Sequence, residues 1–129
     1  MICLDSNCII DFLKGKKEAI TIIEQYKEEL VTTEICIFEV FLGIYKKQHT
    51  SLREETIANT LLNSLYILHS KDFGIYASKL YSELMTKGIL IEQNDCFIAS
   101  IMLMNGCDTI ITRNVKHFAR IPGIKIIEY

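Results

Sequence analysis

Positive charge is scarce in this 129-residue chain: 14 Lys and Arg face 16 Asp and Glu, leaving a formal net charge of −2. Bulk charge therefore does not draw it to nucleic acid, and any approach to phosphates has to run through local basic patches or metal ions. Proline occurs once, at Pro122, and no Gly- or Pro-rich stretch marks a linker, so one domain spanning residues 1–129 is expected. Polar low-complexity tracts and long charge blocks are missing, which excludes a disordered chain. No apolar stretch escapes a charge for about 18 residues, the length a membrane helix needs. No basic start followed by an apolar run precedes Asp5, so no secretory signal is read and a cytoplasmic location with no membrane partner is the default. There is no C-x-x-C pair. Cys3, Cys8, Cys36, Cys96 and Cys107 are odd in number and sit among apolar neighbours, and His49, His69 and His117 are scattered. Reduced, buried thiols follow, because a zinc site needs tighter ligand spacing.

What the chain does have is apolar content, half of its residues, arranged as short apolar runs alternating with longer helical stretches. That alternation predicts an α/β fold, a three-layer α/β/α sandwich with a mainly parallel sheet of four to five strands. Strands are expected at Ile2–Leu4, Leu30–Thr32, Tyr66–Leu68, Thr109–Ile111 and Lys125–Ile127. Helices are expected at Ser6–Lys14, closed by Gly15, at Glu18–Glu28, Glu34–Lys46, Leu52–Leu62 and Asp72–Lys87, and at Asn94–Asn105, stopped by Gly106. In open parallel sheets ligands sit beyond the carboxyl ends of the strands, near the point where strand order reverses. Asp5 follows the first strand and Thr112 to Asn114 follow the fourth, so chemistry is expected there.

Three acids stand out by context. Asp5 ends the run Ile2-Cys3-Leu4 and reads either as the N-cap of the next helix or as a site acid. Glu39 lies inside Ile35-Cys36-Ile37-Phe38-Glu39-Val40-Phe41-Leu42, apolar on every helical face. An unpaired carboxylate there is costly; a Lys or Arg partner, exposure at an edge, or a metal ion each resolves the cost. Asp95 opens a helix whose natural cap is Asn94, and an acid in a first turn is favoured by the helix dipole. If the three converge, they make an all-oxygen site of the kind hard divalent cations prefer.

In their order along the chain these fragments resemble the PIN domain family, and within it the VapC-type toxins, nearly end to end. The opening Leu4-Asp5-Ser6-Asn7 with Ile9-Ile10-Asp11 is similar to the family's first motif, which usually has Thr where Ser6 stands. Glu39 with Gly43 matches the second, and Asp95 with Ile98-Ala99 the third. Ile111-Thr112-Arg113-Asn114-Val115-Lys116-His117-Phe118, then Arg120-Ile121-Pro122-Gly123, looks like the C-terminal signature. The resemblance implies an endoribonuclease whose Asp5, Glu39 and Asp95 hold Mg2+, with Mn2+ as a substitute. Many members carry a fourth acid near the last motif; here those places hold Asn114 and His117, a departure that puts a second tightly bound metal in doubt and gives Asn114 a role through water or a hydrogen bond. Ser6 and Thr112 are expected to tune the acids, or else to act as cap and strand end. Arg113, Lys116, His117 and Arg120 are expected at the RNA backbone or on a solvated surface, with Lys46, Lys47 and Arg53 as weaker candidates. The family also implies a co-expressed antitoxin lying in a groove by residues 34–46 and 52–62, and a homodimer. Of the aromatic residues near that groove, Phe38 and Phe41 read more simply as core, and Tyr45 as a contact.

Other classes fit less well. A phosphatase of haloacid-dehalogenase type wants Asp-x-Asp after the first strand, and Asn7 stands in the second place. A response-regulator receiver wants paired acids there. A PIN-fold module that binds RNA or a protein without cutting is the alternative kept open by the missing fourth acid.

Overall fold

The computed structural model describes residues 1–49 and 52–129. Five parallel strands form one sheet: β1 (Ile2–Leu4), β2 (Leu30–Thr33), β3 (Tyr66–Leu68), β4 (Thr109–Ile111) and β5 (Lys125–Ile127), in the order β3-β2-β1-β4-β5. The helices are α1 (Ser6–Leu13), α2 (Lys17–Tyr26), α3 (Glu34–Tyr45), α4 (Leu52–Asn63), α5 (Phe73–Thr86), α6 (Gln93–Met104) and a short α7 (Val115–Phe118). The expected three-layer α/β/α architecture is what forms.

The strands are short; β1 and β2 are buried on both faces because helices cover each side, while Tyr66 of β3 and Lys125 of β5 are exposed at the sheet edges. Alternate residues along a strand point into different cores. Ile2, Leu4, Leu30 and Ile111 join the α1, α2, α3 and α4 side with Ile9, Ile23, Val40 and Leu62. Cys3, Val31 and Ile110 join the α5 and α6 side with Ala77, Leu84, Ile98 and Met102. Register fixes this division, with Cys3 opposite Val31 on one side and opposite Ile110 on the other; a slip by one residue sends every side chain to the wrong layer.

Most elements fall within a few residues of their expected positions. Gly15 and Gly106 take positive φ, 74° and 72°, just past the ends of α1 and α6, the left-handed turn that ends a helix at little steric cost only for glycine. The short α7 was not anticipated. The start of α6 also differs: its cap is Glu92, without a side-chain cap bond, and Asn94 lies within the first turn. Phe38 is a correction as well. It is 57% exposed, because a helix apolar all round still turns one side away from the sheet. All five cysteines are free and buried; burial pushes Cys8 up to about 12 and raises Cys96 and Cys107, so these thiols stay protonated. Among the described residues no helix is long and apolar enough to cross a membrane.

The strand order decides where a site can lie. The chain builds outward from β1 through β2 to β3, then crosses back to lay β4 on the other flank of β1. Connections leaving β1 and β4 diverge there and open a crevice at their carboxyl ends.

Candidate functional site

Asp5 stands in that crevice. Its backbone N–H donates to the Ile111 carbonyl at 3.1 Å, tying it to the neighbouring strand, and its side chain is 1% exposed. Extended backbone at Asp5 lets Oδ1 cap α1 by accepting from the Ser6 N–H at 2.8 Å. Oδ2 accepts from Thr112 Oγ1 at 2.6 Å and from Asn7 Nδ2 at 2.7 Å. The capping reading and the site reading are therefore compatible: one oxygen caps, and the other is held by donors from two elements.

Every donor on Asp5 is neutral. Burial raises its carboxyl to about 6; the Thr112 and Ser6 hydrogen bonds pull downward, and the charges of Asp95 and Glu39 add to the rise. Asp95 lies in the first turn of α6 and is buried. Burial pushes its carboxyl up too, with Glu39 and Glu92 adding to the rise, against the hydrogen bond from His117. That bond joins His117 Nδ1 to Asp95 Oδ2 at 2.7 Å. A carboxylate only accepts, so Nδ1 carries the proton and Nε2 is left as the ring's other polar atom.

Glu39 comes from the middle of α3 and is half-buried. Among the described residues no Lys or Arg is paired with it; Asn94 Nδ2 donates to its Oε1 at 3.0 Å. The residue read from sequence as a helix cap thus acts as the donor that holds Glu39 toward α6. The fold brings Asp95 and Glu39 near enough to raise the proton affinity of Asp5, and Glu39 near enough to raise that of Asp95. They do not form a finished cage: among the described residues no three His, Cys, Asp or Glu side chains stand at metal-holding distance. An all-oxygen set of one or two carboxylates completed by water suits a magnesium-like ion, which dehydrates reluctantly.

Around this centre, Thr112 is fully buried and gives its proton to Asp5 while accepting from the Asn114 N–H at 2.9 Å. Ser6 Oγ reaches Asp5 Oδ1 at 3.4 Å. Asn114 comes to this group through its backbone, and its exposed side chain makes no hydrogen bond among the described residues. The basic residues divide. Arg113 Nε lies 3.0 Å from Asp11 Oδ2, Arg120 gives one guanidinium proton to the Leu90 carbonyl at 2.6 Å, and Lys47 pairs with Glu54. Lys116 is exposed and makes no ion pair among the described residues. Asn7, Asn94, Asp11 and Tyr129 had no functional role in the sequence reading; Asn7 and Asp11 lay inside a quoted motif, and Asn94 stood beside a site acid.

The PIN domain family profile matches residues 2–124. Over 98% of its length the chain is 31% identical to the plasmid stability protein StbB of Pseudomonas syringae pv. tomato, covering 96% of that protein. It is 28% identical to the tRNA(fMet)-specific endonuclease VapC of Salmonella typhimurium, with 98% of this chain and 96% of that one covered. Among solved structures, VapBC2 from Rickettsia felis bound to a DNA fragment from its promoter matches with a TM-score of 0.86 and 25% identity, covering 100% of this chain and 99% of that one.

Proposed function

Because the chain belongs to the PIN domain family, we propose that it is a VapC-type ribonuclease, a divalent-metal-dependent endoribonuclease that acts in the cytoplasm as the toxin of a toxin–antitoxin pair. The observation that carries this reading is the meeting of Asp5, Glu39 and Asp95 at the carboxyl ends of β1 and β4, with no Lys or Arg paired to any of them among the described residues. Asp5 and Asp95, buried without a Lys or Arg partner and with raised proton affinity, are a poor choice for stability alone and a good one for holding a cation.

Asp5, Glu39 and Asp95 would hold Mg2+ or Mn2+, which supplies a Lewis acid for the phosphodiester and a bound water of lowered pKa. Thr112, Ser6 and Asn7 orient Asp5, and His117 orients Asp95 through Nδ1. Lys116, Arg113 and His117 Nε2 meet the RNA backbone, and Asn114 offers a neutral amide at the mouth of the site for a water or a substrate oxygen. VapC of Salmonella typhimurium is named as a tRNA endonuclease and the Rickettsia felis structure as a toxin–antitoxin assembly, which supports the substrate class and a protein partner.

That partner has a surface to meet. Phe38, Leu42 and Tyr45 are 57%, 42% and 55% exposed and recur at spacings of four and three on α3, one stripe of the helix. Beside it Ile10, Leu13, Val40, Gly43 and Ile44 line a cavity of about 150 Å3. An antitoxin segment with an apolar helical face fits such a stripe and groove, and self-association as a homodimer is read by light scattering.

Purified chain incubated with structured RNA and Mn2+ tests the enzyme. Cleavage abolished by EDTA, by Asp5→Asn and by Asp95→Asn is the expected result. The lack of a finished metal cage among the described residues, and of a fourth acid in the last motif, favours a second reading, a binding module; RNA or antitoxin bound without any cutting selects it. Growth arrest on expressing the chain alone, relieved by a neighbouring antitoxin gene, tests the toxin role.

A further inference from the structure

Asp11 is a second buried aspartate, 1% exposed, in the last turn of α1. Its Oδ1 faces Lys16 Nζ at 2.8 Å, and its Oδ2 meets Arg113 Nε and Tyr129 Oη, both at 3.0 Å. Tyr129, two residues past β5, also reaches Asn7 Oδ1 at 3.3 Å, and the Arg113 backbone N–H reaches the same oxygen at 3.3 Å. The other end of that amide, Asn7 Nδ2, donates to Asp5 Oδ2 at 2.7 Å and lies 3.2 Å from Thr112 Oγ1. An unbroken polar chain therefore runs from the candidate metal site to a cation-locked carboxylate on the far end of the same helix.

The chain has a direction. A carboxylate only accepts, so Nδ2 of Asn7 must face Asp5; a backbone N–H only donates, so Oδ1 must face Arg113. Turning the amide over would set acceptor against acceptor at Asp5 and donor against donor at Arg113. An aspartate at position 7 would set two carboxylates together, which is why a second acid two residues after Asp5 does not fit here. Burial keeps the Tyr129 phenol protonated, with the Cys8 thiol and Asp11 acting the same way, so its single proton is shared between Asp11 Oδ2 at 3.0 Å and Asn7 Oδ1 at 3.3 Å.

We propose that Tyr129 and Arg113, clamped on Asp11, are positioning residues that fix the Asn7 amide and through it the orientation of Asp5. Resting on the nuclease reading above, this makes the segment after β5 part of the site's supporting frame and gives Arg113 an anchoring role besides any phosphate contact. Residues that orient a ligand to a metal change its affinity or activity about 10- to 100-fold when lost.

Tyr129→Phe removes the hydroxyl and keeps the ring, which packs on the α1 and α2 side of the sheet, so the variant folds. In metal-free protein the 15N-labelled Asn7 side-chain amide is the direct readout. Its hydrogen exchange is expected to rise about fivefold in Tyr129→Phe, the worth of one hydrogen bond. Mn2+ affinity and kcat on RNA are expected to fall at least tenfold with KM unchanged. Asp108→Asn, which breaks the Lys125 ion pair at the opposite end of the sheet, is expected to move none of these. Wild-type exchange and kcat in Tyr129→Phe, alongside loss of cleavage in Asp5→Asn, overturn the clamp and leave the nuclease reading standing. Undiminished cleavage by Asp5→Asn overturns the nuclease reading instead, and the metal-free exchange result still decides whether Tyr129 holds Asn7.

Discussion

Replacing Asp5 by Asn should stabilise this protein at neutral pH and destabilise it at acid pH, provided no divalent ion is present. The carboxyl goes from an ordinary value of 3.8 to about 6 on folding. The sign follows from linkage: the folded state binds the proton more tightly, so the charged carboxylate carries a folding penalty above pH 6, and the penalty vanishes below 3.8. At roughly 1.4 kcal/mol per tenfold in proton affinity, the rise amounts to about 3 kcal/mol. Against this, Asn offers Nδ2 where Oδ2 accepted from Asn7, and Asn7 cannot turn over because Arg113 holds its other end. An unsatisfied buried donor costs about 1–2 kcal/mol. The net expectation is a gain of about 1–2 kcal/mol at pH 7.5 and a loss of similar size at pH 4, where folded Asp5 is already neutral.

Urea denaturation of both proteins in EDTA, from pH 4 to pH 8, measures the crossing. Repeating it with Mn2+ adds a second arm. A ligand at 100 times its Kd stabilises by about 2.7 kcal/mol, and Asp5→Asn should lose most of that gain, so that the wild type becomes the more stable protein at neutral pH. A stability difference between the two that keeps one sign at every pH in EDTA refutes the reasoning, because Asp5 would then be ionised in the crevice without cost.

Asn94→Ala frees Glu39 Oε1 from its only hydrogen bond among the described residues; Mn2+ affinity by calorimetry should fall about tenfold while stability drops by about 1 kcal/mol. Gly43→Ala should stabilise by about 0.5–1 kcal/mol in urea, because the position is helical and a Cβ there meets nothing within 4 Å; a loss of stability would show a packing role that the structure does not contain. Lys116→Gln should weaken RNA binding equally for all sequences and flatten the slope of log K against log salt by about 0.7 for single-stranded RNA; an unchanged slope means that Lys116 touches no phosphate.

The sheet was legible because its strands are apolar on both faces and bounded by residues that end them, and all five were placed to within a residue. The candidate acids stood out for the opposite reason: Glu39 breaks an apolar helix, and Asp5 and Asp95 sit where a strand ends and a helix begins. Phe38 was misjudged because periodicity cannot tell which side of an all-apolar helix faces solvent; only the packing of α3 against α1 and the sheet decides that. Amides were missed more systematically. An Asn is donor and acceptor at once, so its sequence context says nothing about which end will be used. Asn94 looked like a cap because it preceded an apolar helical run, yet the helix starts one residue before it and the amide turns to Glu39.

The two buried aspartates at either end of α1 show what separates a candidate site from a structural ion pair. At Asp11 burial raises the carboxyl, but Lys16, Tyr129 and Arg113 outweigh it and hold the group below its ordinary value. Its charge is spent on cations already present, and a metal ion would have to displace them. Asp5 is as deeply buried, yet its partners are a backbone N–H, two hydroxyls and an amide. Neutral donors fix where a carboxylate points without cancelling its charge, so the field at its oxygens stays available to a cation arriving from solvent. A lysine or arginine in place of Asn7 or Thr112 would donate to the same oxygens and cancel the charge that the neutral donors leave in place. Placing cations at Asp11 and neutral groups at Asp5, and joining the two through an amide held at both ends, therefore orients the Asp5 carboxyl without offsetting its charge.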